Sequence, residues 1–202
     1  MDSADRDIAG LVHRPLVRVA LGVLALLVLG VAASGGFRAA RSRQALPQYA
    51  LGQAASNGAY RLTPLCAWLA ERMPGRSYPE PGLRYLVLRL RAVNQMDSAK
   101  PGLEQDVVWV PQGTGEFKKP DVVLRSDDHS FQVNPQPRLP TTVDLVWKLS
   151  ERSRIRQPVT WGVFNRAYVA KGYLSGEGGW LQGDPAFKFQ LSAGGACTER
   201  GT

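Results

Sequence analysis

The chain has 202 residues, which leaves room for one ordinary domain of ~100–150 residues and an appendage. An apolar fraction of 44% with five Trp supplies a real core and excludes global disorder. Residues 1–18 balance Asp2, Asp5 and Asp7 against Arg6, Arg14 and Arg18, so the formal net charge of +8 belongs to the rest of the chain.

Residues 19–36, from Val19 to Gly36, carry no charge. As a helix rising 1.5 Å per residue this stretch reaches ~27 Å, against a hydrocarbon thickness of ~30 Å. Leu16, Val17 and Phe37 extend it. A charge at the centre would cost ~2.5–3.5 kcal/mol, and a buried core helix would keep a polar face, which this one lacks. One transmembrane helix is therefore predicted, with Val19, Leu24, Leu27 and Val31 in the lipid bilayer. Val31-Ala32-Ala33 has the small-x-small pattern that precedes a signal-peptidase cut. Cleavage after Ala33 would yield a secreted soluble factor. The apolar run is longer than a signal core of ~7–15 residues, which favours an uncleaved signal-anchor. No Cys adjoins the site, which excludes a lipoprotein anchor. Arg14 and Arg18 before the helix nearly cancel Arg38, Arg41 and Arg43 after it. The signal-like character of the helix and the make-up of the domain place the tail (1–18) in the cytoplasm. The C-terminal domain is then extracytoplasmic, on a single-pass cell-membrane protein.

Residues 37–57 show little periodicity and read as a juxtamembrane stalk. From residue 58 the pattern has period two. Tyr60, Leu62, Cys66 and Trp68 share one parity in a first strand interrupted by Pro64, which suits a sheet edge. A Pro/Gly loop at 73–82 precedes Leu83–Asn94. There Leu86, Leu88 and Leu90 face inward while Arg89 and Arg91 face out, as in a sheet with one wet side. Residues 106–110 and 121–125 read as short strands, and 131–133 as another. Val143, Leu145, Trp147 and Leu149 point inward, with Thr142, Asp144 and Lys148 outward. Val159, Trp161 and Val163 continue the theme, and Phe187, Phe189 and Leu191 close it. Seven or eight short strands with Pro/Gly turns predict an all-β sandwich over residues 58–195, with a tail at 196–202. Leu86, Leu88, Leu90, Trp147, Trp161 and Phe189 are its expected core.

Cys66 and Cys197 are the only cysteines and flank almost the whole domain. In an oxidising compartment a bridge between them would close a loop of ~130 residues, adding ~2–5 kcal/mol in the chain-entropy model. The other reading is two unpaired thiols, one buried and one on a frayed tail.

The N-terminal anchor is succeeded by a strand of the type Tyr60-Arg-Leu-Thr-Pro-Leu65 and by Arg84-Tyr-Leu-Val-Leu-Arg-Leu-Arg-Ala-Val-Asn94. Pro137-Arg-Leu-Pro-Thr-Thr-Val-Asp-Leu-Val-Trp147 and Val159-Thr-Trp-Gly-Val-Phe164 come after. In this order the chain resembles the telokin-like, immunoglobulin-like extracytoplasmic domains of membrane-anchored Gram-positive bacterial proteins, many of them uncharacterised. The resemblance covers about residues 58–192 and rests on packing motifs. It implies an immunoglobulin-like β-sandwich outside the cytoplasm and transfers no catalytic residue.

His13 lies in the tail, leaving His129 as the domain's only histidine, so no His-based triad or multi-histidine zinc site assembles. Ser126-Asp-Asp-His-Ser130 lacks calcium-loop spacing and reads as a solvated turn. Gly113-Thr-Gly115 lacks the four-residue gap and Lys-Ser/Thr of a phosphate loop and reads as a turn. Glu177 and Asp184 flank the Gly-rich segment 178–183, which reads as a connection between strands. As a carboxylate pair they carry the rival reading, an enzyme acting on wall glycans. Leu139-Pro-Thr-Thr142 misses a sortase signal because the Gly and the hydrophobic tail are absent. No catalytic residue, cofactor site or metal site is predicted.

Arg138, Lys148, Arg152, Arg154, Arg156 and Arg166 fall in one basic region, partly at the turn 150–157; it reads as a solvated Arg-rich turn or as a surface suited to anionic lipid or to an anionic wall polymer. Without a recognition motif nucleic acid is not an expected partner. The expectation is a non-enzymatic binding or scaffold module for an envelope protein or anionic polymer, with Arg152, Arg154 and Arg156 as contacts.

Overall fold

The computed structural model of the protein describes residues 19, 21–27, 30, 45–98, 102–131, 133–170, 178–194 and 197. The chain divides into two units, residues 1–45 and 46–202. In the first unit Val19, residues 21–27 and Gly30 are helical, and Val19, Leu24 and Leu27 expose 64%, 58% and 62% of their surface. Among the described residues no helix is long and apolar enough to cross a membrane. Val31, the cleavage pattern ending at Ala33 and the remainder of the expected span lie outside them.

The second unit is a β-sandwich. Its strands are β1 (Gln48–Tyr49), β2 (Ala55–Ser56), β3 (Tyr60–Ala70), β4 (Leu83–Asn94), β5 (Val107–Val110), β6 (Val122–Arg125), β7 (Pro140–Ser150), β8 (Val159–Val169) and β9 (Gly179–Leu191). A one-turn helix, α1 (Leu103–Asp106), leads into β5 and takes in Asp106, which the sequence pattern assigns to the strand. One sheet has the order β1-β9-β8-β5 and the other β2-β3-β4-β7-β6. Setting aside the two-residue strands leaves β3-β4-β7-β6 over β5-β8-β9. That is the strand order of a constant-type immunoglobulin sandwich, with every pair antiparallel.

The domain begins earlier than residue 58. Gln48 and Tyr49 pair in parallel with Lys188 and Phe189, and Ala55 and Ser56 pair with Leu62 and Arg61. These residues lack periodicity because two-residue strands are too short to display one. Phe131 and Val133, expected in a strand, lie in irregular backbone. Gly179–Gly183 is not a loop: it is the first half of β9, paired with the end of β8 in a long hairpin.

Between the sheets sits one core. The six residues expected to fill it expose 0–1% of their surface. Trp147 of β7 meets Trp161 of β8 with ring centroids 6.4 Å apart, a contact worth ~0.5–1.5 kcal/mol beyond area burial. The parity of β3 changes midway. The register passes from Pro64↔Leu90 to Cys66↔Arg89, so Leu65 is the extra residue of a β-bulge. Before it Tyr60, Leu62 and Pro64 face the core; after it Ala67 and Leu69 do. Cys66 and Trp68, expected to face inward with Tyr60, are turned to the outer face.

That outer face is not the wet side the alternation implies. Met73, Tyr85, Val87, Leu124 and Val146 form a second buried cluster, flanked by Trp68, Ala70, Leu83 and Val122. Met73 comes from the loop between β3 and β4, which folds back over the sheet. Asp144, expected outward and solvated, is consequently fully buried.

Candidate functional site

The connection between β7 and β8 turns at once, with Ser153 N–H donating to Ser150 O at 2.9 Å. Glu151 N–H donates to Gly82 O at 2.9 Å, and the Arg84 guanidinium holds the Ser153 carbonyl. Exposure then alternates. Ile155 packs against the sandwich core while Arg154 and Arg156 on either side of it are exposed. The segment ends at a cis Gln157–Pro158 peptide.

Facing it is the turn after β5. Its far end is pinned by Lys118, which exchanges backbone hydrogen bonds of 2.8 and 2.9 Å with Trp109. The Lys118 carbonyl also accepts from Trp147 Nε1 at 2.8 Å. Gln112 Nε2 reaches across to Pro158 O at 3.0 Å and closes one end of the gap. Between the two segments lies a groove of about 340 Å³. Arg154, Ile155 and Arg156 line it from one segment, Gln112 and Thr114 from the other, with Trp109 from the end of β5. Among the described residues no carboxylate lies within ion-pair distance of Arg154 or Arg156. Among the described residues that line it, none is Asp, Glu, His, Cys, Lys or Tyr. The groove offers hydrogen-bond donors and positive charge but no side chain that exchanges protons near neutrality.

Two of the three expected contact arginines line this groove; Arg152 is exposed outside it. The wider basic region disperses. Lys148 points at Glu80, 3.5 Å away, and the exposed Arg138 lies 3.8 Å from Asp97. Arg166 is an internal residue. Its Nε donates to Asp106 Oδ1 at 2.6 Å, and it also holds Gly102 O at 3.1 Å. Asn57 Nδ2 donates to Asp106 Oδ2 at 3.1 Å and to Phe164 O, joining the start of the domain to α1 and β8. Burial raises the Asp106 carboxyl above its ordinary range, opposed by Arg166 and Asn57. Nearby, burial and the charge of Asp106 push the Tyr60 phenol up to about 12.

Cys66 and Cys197 form a disulfide with Cα atoms 5.8 Å apart and a sequence separation of 131. Of the glycan-directed carboxylate pair, Asp184 is exposed on β9 and Glu177 lies outside the described residues. Ser126–Ser130 is a turn in which Arg125 lowers the Asp127 carboxyl and the Ser130 N–H lowers that of Asp128. Nothing in the sequence pattern singles out Trp109, Gln112 and Thr114. The usable signal is indirect. An antiparallel pairing of 107–110 with 160–163 places the end of one strand beside the start of the other.

No family model matches the chain, and no curated protein matches it. Among solved structures it is similar to an uncharacterised β-sandwich protein from Clostridium difficile 630, with 10% sequence identity and a TM-score of 0.47. The match covers 74% of this chain and 97% of that one.

Proposed function

We propose that this protein is a non-enzymatic binding module of the cell envelope, an immunoglobulin-like sandwich held at the membrane by residues 19–36, and that it grips an anionic partner in the arginine-walled groove. The observation that carries this reading is the pair Arg154 and Arg156, exposed in the groove with no carboxylate among the described residues to neutralise them. Arginine presents a planar fork of donors suited to carboxylate and phosphate oxygens, and such a pair beside a groove is ready for a ligand of that kind. The Cys66–Cys197 disulfide supports an extracytoplasmic domain, since such bonds persist mainly in oxidising compartments. Tethering would raise the effective concentration of even a weak site.

Co-sedimentation with the native envelope fraction tests it. With the lipid extracted from the fraction and residues 19–36 held in detergent micelles, the full chain is expected to sediment with the fraction, and a chain carrying Arg154→Gln and Arg156→Gln is expected to stay largely in the supernatant. Equal sedimentation of the two would remove the groove from the account. Resistance of the domain to protease added to intact cells would remove the extracytoplasmic placement.

A further inference from the structure

We infer that the groove takes an extended polyol-phosphate chain, a polymer whose negative charges lie in its own backbone; this rests on the binding-module reading above. Arg154 and Arg156 are exposed on either side of Ile155, which packs against the core, and both line the groove. Two guanidinium groups so placed engage successive charges of one chain rather than a single anion.

The backbone around the groove argues against an extended acidic peptide. A peptide that docks beside a sheet edge gains affinity by strand addition, which needs free N–H and C=O groups. Here Trp109 has both groups engaged with Lys118, Pro111 and Pro158 have no N–H, and the Pro158 carbonyl accepts from Gln112. The edge strand β5 is thus closed at the groove, and on that wall recognition falls to side chains. Nucleic acid shares the phosphodiester chemistry but gains much of its single-strand affinity by stacking bases on exposed aromatic faces. Among the described residues that line it, Trp109 is the only aromatic side chain; it exposes 8% of its surface and offers no platform. A chain of small hydroxylated units fits what remains: phosphates on Arg154 and Arg156, with hydroxyls toward the Gln112 amide.

Fluorescence polarisation of the full chain with a labelled synthetic glycerol-phosphate oligomer of about ten units tests this. Unlabelled polyglutamate and oligo-dT of equal charge serve as competitors. The oligomer is expected to bind, with each competitor at least tenfold weaker. Arg154→Gln with Arg156→Gln is expected to weaken binding at least tenfold and to reduce the slope of log K against log salt by roughly 1.4, about 0.7 per phosphate contact. Arg61→Gln with Arg91→Gln, which removes the same charge from exposed positions of β3 and β4, is expected to change it less than twofold. If polyglutamate or oligo-dT competes as well as the oligomer and depends on the same two arginines, the polyol-phosphate assignment fails while the groove stands as an anion site. Equal loss in the two double variants, or no binding of any polyanion, overturns both readings.

Discussion

Arg89 on β4 and Asp144 on β7 face each other across the sheet and form a forked ion pair, Nε to Oδ1 at 2.7 Å and a terminal guanidinium nitrogen to Oδ2 at 2.8 Å. Asp144 is fully buried and the Arg89 side chain exposes 14%, with its guanidinium over the Trp68 ring at 5.3 Å. The β3 bulge makes this possible, because it turns Trp68 to the outer face where Arg89 lies.

Breaking this pair from one side leaves a buried carboxylate alone. Arg89→Met is expected to cost ~3–5 kcal/mol in urea unfolding. Arg89→Met with Asp144→Leu is expected to return to within ~1 kcal/mol of the parent, since no charge is then left buried. If the single variant loses less than the double, the pair is not a buried unit.

The raised carboxyl of Asp106 has a signed consequence. A folded-state value above the unfolded one, 3.8, means the folded state binds the proton more tightly. The stability this adds is fully present below pH 3.8 and is lost as pH rises through the folded value. The stability of the parent minus that of Asp106→Asn is therefore expected to fall across that window. Chemical unfolding at a series of acid pH values checks the direction, and a difference that grows with pH contradicts it.

Ultraviolet titration is expected to show a phenol ionising near pH 12, and Tyr60→Phe removes that step. The folded value lies above the ordinary phenol value of 10.0, so the contribution of Tyr60 to stability is complete below pH 10.0 and is lost as pH rises through about 12.

Reduction of the Cys66–Cys197 bridge frees a loop spanning 131 residues, with an expected loss of ~2–5 kcal/mol. Denaturant unfolding with and without reductant measures it, and Cys66→Ser with Cys197→Ser should match the reduced parent.

Gly58 holds φ at 96°, where side chains are strained, and a Cβ there would strike the Arg166 carbonyl oxygen. Gly58→Ala is expected to cost more than ~1 kcal/mol. In a domain of this size that lowers Tm by about 2–4 °C or more. An unchanged melting temperature would mean that the Asn57–Asp106–Arg166 junction relaxes freely.

Period-two alternation was enough to find β4 and β7 and their inward faces, but it misplaced Cys66 and Trp68 of β3 and took the first half of β9 for a connection. Val143, Leu145, Trp147 and Leu149 are buried as their spacing implies, and so are Leu86, Leu88 and Leu90. Such a pattern is local, because each side chain takes its face from its neighbours along one strand. Everything that depended on a distant partner was decided by tertiary structure. The bulge at Leu65 flips a parity that composition cannot reveal, and Met73 in a folded-back loop helps bury the outer face holding Asp144, which alternation assigns to water. A run of arginines likewise looks uniform in sequence. Pairing of β5 with β8 separates Arg154 and Arg156, which face open groove, from Arg166, neutralised inside by Asp106. The spacing of apolar side chains along the chain was enough to say which residues prefer burial and which sandwich they imply. Which charges remain free was set only when the strands paired, because a charge is free or bound according to what the fold brings within a few ångströms of it.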